Sequence, residues 1–314
     1  GSGHGTLSRD LINTLVNRGT GGVLLELPYH MHRRPPGSSA GREFVRPDTS
    51  HLIEVLRQAV IELRCVVDWL SRRPEVDESK LGLAGHSLGA IVGGLAYAVE
   101  PRLKAAALAG GGALLHELVW RSLILVEGRN SLVQQGVTKE ALATILAPVD
   151  ACNYATPERG KSVLMINALH DCVVPGQCTR AMWEAYGQPS IRWLNCGHFT
   201  LFAHANKINA EMASWLASRL GTGERYKPAD IEGQCLKVAV VHSHRRGTQA
   251  GVFLELAPLD RRGRTAVELG VLTPNDVMVG VSTRLSPNLS VGLGVPVGTR
   301  PFRCDTYASL HVSF

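Results

Sequence analysis

The chain has 314 residues, of which 45% are hydrophobic and 19% charged, the balance of a soluble globular protein with room for one large domain and a smaller one. Its formal net charge of +6 is spread over arginine pairs without neighbouring aromatic residues, which argues against a nucleic-acid-binding role. No apolar run reaches the roughly 20 residues that a membrane-spanning helix needs, so we expect no helical membrane span.

The spacing of cysteines and histidines predicts no metal site. Seven cysteines occur at irregular intervals, unlike zinc ligands or a small disulfide framework. His4, His30 and His32 have no cysteine or carboxylate at ligand spacing. The chain begins Gly-Ser-Gly rather than with Met and shows no signal peptide, so localisation stays open between cytoplasmic and exported.

Helical periodicity and short apolar runs alternate along the first part of the chain. The sequence predicts strands over 22–27, 81–84, 103–108, 162–167 and 191–194, helices over 7–16, 49–70, 88–99, 176–186 and 204–220, and a helical cap over about 113–160. This alternation predicts an α/β fold with a doubly wound, mostly parallel sheet. In such sheets the chemistry gathers at the carboxyl ends of the strands, so candidate site residues directly follow each strand.

The stretch 80–94 reads KLGLAGHSLGAIVGG and contains Gly-x-Ser-x-Gly between a predicted strand and a predicted helix. A serine at the apex of such a turn is held in a strained backbone conformation, and we expect the glycines at positions 85 and 89 to leave room for it. The strain presents the Ser87 hydroxyl above the sheet. The N–H of Leu88 points toward the same space at a helix N-terminus, where negative charge is favoured.

An acidic and a basic residue follow two later strands. Asp171 lies in HDCVVP after the strand predicted over 162–167, and His198 lies in CGH after the strand predicted over 191–194. A nucleophile, an acid and a base therefore occur in that order along the chain, each at a strand end. Chance explains this agreement poorly.

With these motifs, residues 1–221 resemble the α/β-hydrolase superfamily of serine esterases, which keeps the order Ser, Asp, His. The resemblance implies Ser87 as nucleophile, His198 as general base and acid, and Asp171 as the group that orients the imidazole. It also implies an oxyanion hole built from the N–H groups of Leu88 and Gly5, with His86 and Tyr29 at the substrate. The strand that precedes the oxyanion loop in this family is not seen, so we expect either that N-terminal strands of the fold are missing or that another element fills that place in the sheet.

The residue pattern changes after a polar linker over 222–233. Alternating segments predict about six antiparallel strands within a β-rich segment over 234–314. Their pattern and the terminal Phe314 loosely resemble the last strands of a bacterial outer-membrane β-barrel. A small β-sandwich, a sheet edge packed on the hydrolase and an accidental joining fit as well, and these alternatives stay open.

The expected function is hydrolysis of a small-molecule carboxylic ester through an acyl-enzyme, with no metal or organic cofactor. A thioesterase or a peptidase of the same fold is the first alternative. A catalytically inactive hydrolase-like binding module is the second. The sequence does not predict the oligomeric state.

Overall fold

The computed structural model describes residues 4–38, 41–231, 236–243, 247–259, 264–272, 276–286, 289–297 and 307–313. The chain divides into two compact units. Unit 1 consists of Gly1–Asn167, Val173–Trp193 and His204–Ile231, and unit 2 of Ala168–Cys172, Leu194–Ala203 and Glu232–Phe314. The domain bounds predicted from the sequence, 1–221 and 234–314, stay a prediction.

Up to residue 231, helices and strands alternate as the sequence predicts, except over residues 22–27. The helices are α1 (His4–Val16), α2 (Thr49–Leu70), α3 (Leu88–Val99), α4 (Leu115–Arg121), α5 (Val126–Gln134), α6 (Lys139–Leu146), α7 (Pro157–Gly160), α8 (Gly176–Ala185), α9 (His198–Ala203) and α10 (Ala205–Arg219). The strands are β1 (Leu81–His86), β2 (Leu103–Ala109), β3 (Val163–Ala168) and β4 (Ser190–Leu194).

The four strands form one sheet in the order β1-β2-β3-β4, and the pairs β1/β2 and β2/β3 run parallel. Helices cover both faces of this sheet. Gly82 packs against Leu216 of α10 and against Leu220, which directly follows that helix, whereas its neighbour Leu83 packs against Gly93 of α3. Because successive residues of a strand point to opposite faces, α3 and α10 lie on opposite sides. The doubly wound α/β prediction is therefore confirmed.

Helix α2 illustrates how local sequence sets an element. The Asp48 carboxylate accepts a hydrogen bond from the N–H of His51 and caps the first turn. Apolar residues at helical spacing then form one buried face that includes Val55, Ala59 and Val67. The helix has the bounds that the sequence predicts. Within the described ranges, no helix is both long and apolar enough to cross a bilayer.

The strand predicted over 22–27 is wrong. Residues 20–27 belong to no helix or strand, and residues 21–23 are exposed. An apolar run becomes a strand only where a neighbouring strand supplies hydrogen bonds, and β1 pairs only with β2 in the described sheet.

The described part of the predicted linker is fixed on α10. The Glu211 carboxylate accepts hydrogen bonds from the Tyr226 hydroxyl and from the N–H of Ala229, and Ser214 Oγ accepts one from the N–H of Lys227. Residues 226–229 are therefore held along this helix.

In unit 2, all six C-terminal strands predicted from the sequence are present, and they close into a barrel. They are β5 (Leu236–Ser243), β6 (Gly247–Pro258), β7 (Thr265–Leu272), β8 (Asp276–Ser286), β9 (Leu289–Val297) and β10 (Tyr307–Ser313). The order is β10-β5-β6-β7-β8-β9, and neighbouring strands pair antiparallel. The segment is thus a closed barrel and not a sandwich or a sheet edge.

The barrel interior contains both polar and apolar side chains. Ala239, Val241, Phe253, Leu272 and Met278 form an apolar cluster. Charged and polar groups fill the rest, including Lys237, Glu255, Glu268, Ser282 and His311, all of them buried. Valine and leucine side chains on the outward positions are exposed, among them Val238, Val240, Val252, Leu269, Val271, Val281, Leu293 and Leu310. The barrel interior therefore holds both polar and apolar side chains, and aliphatic side chains face outward.

Candidate active site

Ser87 lies at the sharp turn between β1 and α3. Its backbone has φ 51° and ψ −116°, a conformation that costs a non-glycine residue about 1–3 kcal/mol. Two sets of hydrogen bonds hold it there: the Ser87 N–H donates to Ala109 O at 2.8 Å, and its carbonyl accepts from the N–H groups of Ala90 and Ile91. The turn therefore has the strained geometry that the sequence predicts for Ser87.

The two glycines of the motif differ in the space available for a side chain. A Cβ at Gly85 would lie 2.2 Å from the Gly89 carbonyl oxygen and 2.8 Å from the Ala90 nitrogen, so only glycine fits there. A Cβ at Gly89 would meet nothing within 4 Å apart from the backbone of its own helix. Gly85 thus allows the close approach of β1 and α3, whereas the expectation that Gly89 is needed for space is wrong.

The predicted oxyanion donors occupy two different helices. Leu88 is the first residue of α3, and the first N–H groups of a helix have no intrahelical acceptor and favour nearby negative charge. Gly5 lies in the first turn of α1 and not in a loop after a strand. Leu88 is therefore the better supported donor, and the role of Gly5 stays a prediction.

His86 forms part of a structural link. Its Nε2 lies 2.9 Å from Asn209 Oδ1 in α10, and Asn209 Nδ2 donates to the Leu7 carbonyl in α1. Since an amide oxygen only accepts, Nε2 of His86 carries the hydrogen. These two hydrogen bonds connect the end of β1 to α10 and α1. A substrate role for His86 stays a prediction.

Tyr29 is another strained residue of unit 1. Its φ is 61°, in the left-handed region that non-glycine residues rarely adopt. Its half-buried ring lies 5.5 Å, centre to centre, from that of His51. Strain of this kind clusters at functional sites, and the substrate role of Tyr29 stays a prediction.

An apolar cavity of about 70 Å³ lies beside the N-terminus of α3. Leu88 and Ile91 of α3 form one wall, α2 and the preceding residues 44–48 form a second, and residues of the cap helices α4 to α6 form a third. Its apolar lining includes Phe44, Leu52, Leu56, Leu88, Ile91, Leu115, Leu118, Val119, Leu132 and Leu142. The residue after Ser87 therefore lines a space suited to an apolar group.

In unit 2, the predicted acid and base form a hydrogen-bonded pair. His198 Nδ1 donates to Asp171 Oδ2 at 2.7 Å, and both residues are buried, at 4% and 7% exposed. Phe199 and Phe202 present their rings edge-on to the imidazole at 5.7 and 5.3 Å between ring centres. With its proton on Nδ1, the imidazole carries its basic lone pair on Nε2.

The loops that lead from β3 to Asp171 and from β4 to His198 are joined to each other through their backbones. Following β3 and β4, the N–H of Leu169 donates to Leu194 O at 2.9 Å, and the N–H of His170 donates to Cys196 O at 3.0 Å. These bonds continue the pairing of the two strands into the loops. They fix the spacing of Asp171 and His198 at the level of the main chain.

The sequence did not predict three polar residues that are connected to His170, the neighbour of Asp171. The side chain of Asn195 contacts His170, Arg284 and Glu255. The position of Asn195 directly after β4 was the only available signal, and nothing in the sequence connects Glu255 or Arg284 to residues 170–198.

Within the described ranges, no three His, Cys, Asp or Glu side chains are grouped so as to hold a metal ion.

A comparison with known protein families found no match. Among curated proteins, the chain is 28% identical over 183 residues to Rv2627c of Mycobacterium tuberculosis, a protein described as uncharacterised, and the match covers 57% of this chain and 42% of that protein. It is also 28% identical over 103 residues to YdjC of Bacillus subtilis, likewise described as uncharacterised, covering 32% of this chain and 88% of that protein. The match thus spans less than half the length of the mycobacterial relative.

Among solved structures, similar chains include the Pyrococcus furiosus esterase Pf2001, with 16% identity, a TM-score of 0.46 and coverage of 68% of this chain and 76% of that one. TT1662 from Thermus thermophilus has 20% identity, a TM-score of 0.47 and coverage of 67% and 82%. An acetyl xylan esterase from Paenibacillus sp. R4 has 22% identity, a TM-score of 0.42 and coverage of 62% and 63%.

Proposed function

We propose that this chain is a serine hydrolase of the α/β-hydrolase superfamily that cleaves carboxylic esters, with Ser87 as nucleophile, His198 as general base and acid, and Asp171 as its orienting carboxylate. The observation that carries the proposal is the buried hydrogen bond from His198 Nδ1 to Asp171 Oδ2. A buried carboxylate of this kind fixes the imidazole tautomer and stabilises the imidazolium that forms during the reaction. The strained backbone of Ser87 supports the assignment of the nucleophile.

The residue types prescribe the steps. His198 Nε2 takes the proton of Ser87 Oγ as that oxygen attacks the ester carbonyl carbon. The carbonyl oxygen becomes an oxyanion, which the N–H of Leu88 stabilises at the start of α3. The alcohol then leaves with the proton from the imidazolium. Water hydrolyses the acyl-enzyme by the same exchange, which releases the carboxylic acid and restores Ser87.

The apolar cavity beside Leu88 supports a short or aromatic acyl group. A cavity needs about 10–15 Å³ of free volume to hold one water molecule. A cavity of about 70 Å³ therefore holds a group of a few heavy atoms. Its lining is aliphatic and aromatic, and such surface favours apolar groups. We therefore expect short-chain or aryl esters to react best.

Hydrolysis of a p-nitrophenyl ester series from acetate to palmitate tests the proposal. We expect turnover of the short esters by the full chain and a loss of at least about a thousandfold in Ser87→Ala. Circular dichroism establishes that both proteins are folded. A fluorophosphonate probe, which labels only an activated serine, should label the full chain and not Ser87→Ala.

If the folded full chain neither hydrolyses an ester nor reacts with the probe, the esterase proposal fails. The inactive hydrolase-like binding module would then be the favoured alternative. Turnover of acyl thioesters in preference to oxygen esters would instead favour the thioesterase alternative.

A further inference from the structure

Asn195 connects three parts of unit 2. It follows β4 directly and lies in the loop that leads to His198. Its Oδ1 accepts hydrogen bonds from His170 Nε2 at 2.9 Å and from Arg284 Nη2 at 3.4 Å, and its Nδ2 donates to Glu255 Oε1 at 3.3 Å. One side-chain amide therefore joins the loop of His198, the loop of Asp171 and the barrel.

The chemistry of the two barrel residues fixes the orientation of this amide. A guanidinium only donates hydrogen bonds and a carboxylate only accepts them. The oxygen of Asn195 therefore faces Arg284, and its nitrogen faces Glu255. Because His170 Nε2 contacts the same oxygen, that nitrogen must carry a hydrogen. The barrel thus determines, through Asn195, how the ring of His170 is held.

The barrel side of this connection is anchored in the barrel interior. Glu255 Oε2 lies 3.2 Å from Arg284 Nη2 and 3.3 Å from Lys237 Nζ, and the Lys237 and Glu255 side chains are 2% and 5% exposed. Lys237 Nζ in turn lies 3.2 Å from Glu268 and donates to Ser282 Oγ at 2.8 Å. Charged groups buried in this way are held firmly, because losing a partner leaves an uncompensated charge.

We propose that the barrel is a positioning element of the esterase site: Arg284 and Glu255 hold Asn195, Asn195 holds His170, and His170 keeps the adjacent Asp171 in place for its hydrogen bond to His198. This inference rests on the proposed function, since the placement of Asp171 affects rate only if the pair activates Ser87. It gives residues 236–313 a role that the sequence does not suggest. Asn195, Arg284 and Glu255 are positioning residues that act through His170 and Asp171.

The competing explanation is that the same contacts only fasten the barrel to its neighbouring loops. In that case the loss of these contacts would lower the thermal stability but leave the kcat and the labelling rate of the folded protein unchanged. A positioning role predicts the opposite pattern, in which reactivity falls in molecules that remain folded.

The test uses Asn195→Ala in the full chain, since this change leaves the ion pairs of Lys237 with Glu255 and Glu268 in place. We expect kcat for p-nitrophenyl acetate and the rate of fluorophosphonate labelling to fall by about 10- to 100-fold, with KM changed less than about twofold. Arg284→Ala should show the same pattern, and Arg284→Lys, which retains a donor, should recover part of the rate. Ser309→Ala is the matched control, because Ser309 contacts His311 inside the same barrel and does not contact Asn195.

A second readout does not depend on catalysis. The Nδ1–H of His198, bonded to Asp171, should give a low-field proton NMR resonance that is identified by its loss in Asp171→Ala. We expect this resonance to be unchanged in Ser309→Ala and to shift or broaden in Asn195→Ala.

The outcomes separate the two proposals. If the full chain reacts with the probe and folded Asn195→Ala keeps the normal kcat or an unchanged resonance, the positioning role is overturned while the esterase proposal stands. If the full chain does not react, the esterase proposal fails and the resonance alone decides whether the barrel positions Asp171.

Discussion

Lys237 Nζ lies 3.2 Å from Glu268 Oε2 inside the barrel, where neither side chain is more than 2% exposed. Glu268 Oε1 also lies 3.2 Å from His311 Nε2. Burying such groups is costly unless they are paired. The stability of the barrel should therefore depend strongly on the protonation state of its interior groups.

His311 should make barrel stability depend on pH. Burial, with the nearby Lys237 acting in the same direction, lowers its pKa from 6.5 to about 4. The folded ring is therefore neutral at pH 7. As the pH falls from 6.5 toward 4, the unfolded chain takes up a proton that the folded chain does not, so the free energy of unfolding decreases, by about 3 kcal/mol in total.

Hydrogen exchange of the amides in β5 to β10, corrected for intrinsic rates, measures this effect. All five tryptophans lie outside residues 232–314, so their fluorescence does not report on the barrel. His311→Gln is the control. Burial raises the pKa of Glu268, so uptake of a proton by that carboxyl stabilises the fold as the pH falls, whereas His311 destabilises it. Both proteins retain Glu268, so the difference between them gives the contribution of the His311 ring. Equal pH dependence in the two proteins would contradict the prediction.

Gly85→Ala should destabilise unit 1 far more than Gly89→Ala. The new Cβ at position 85 would collide with the backbone of Gly89 and Ala90, and we expect a loss of about 3 kcal/mol or more. At position 89 there is open space, and alanine favours a helix by up to about 1 kcal/mol over glycine. Urea unfolding followed by tryptophan fluorescence compares the two, and similar losses would refute the steric explanation.

Asp171→Asn should abolish most esterase activity without unfolding the protein. An amide cannot fix the required tautomer of His198 or stabilise its imidazolium, so kcat should fall by about a thousandfold or more. Asp68→Asn is the control, since it removes an exposed carboxylate that pairs with Arg102. A kcat within tenfold of normal would remove Asp171 from the proposed mechanism.

Leu118→Phe should shift the substrate preference toward the smallest esters. Leu118 lines the cavity beside Leu88, so a larger ring there takes up space that the acyl group would occupy. We expect the ratio of kcat/KM for butyrate over acetate to fall about tenfold, the scale of one or two methylene groups in an apolar pocket. Leu123→Phe, at a half-exposed position outside the cavity lining, should leave that ratio unchanged.

The sequence predicted the elements whose formation depends on local pattern. The bounds of α2 and α3 follow from apolar periodicity and from the Gly-x-Ser-x-Gly turn, and the same bounds are observed. The prediction of a strand over 22–27 was wrong because an apolar run does not reveal whether a neighbour is available. Strand formation depends on distant residues in a way that helix formation does not.

The same limit applies to the barrel and to the candidate site. Alternation gave all six C-terminal strands, but closure depends on the pairing of β10 with β5, between segments more than 60 residues apart. The Asp171–His198 pair was found because both residues follow strands. The sequence did not predict the contacts of Asn195 with Glu255 and Arg284. These contacts join residues 60 and 89 positions apart in the sequence and follow no known motif.

Closure of the barrel by β10 also sets an order of events in time. During synthesis, the strands of the α/β sheet are complete once residue 194 has been made, but the barrel cannot close before residues 307–313 emerge. At about 5–20 residues per second, the 119 residues from 195 to 313 (313 − 194) take about 6 to 24 s. If the barrel positions Asp171, a nascent chain remains inactive throughout that interval, and hydrolysis begins only after the last strand is in place.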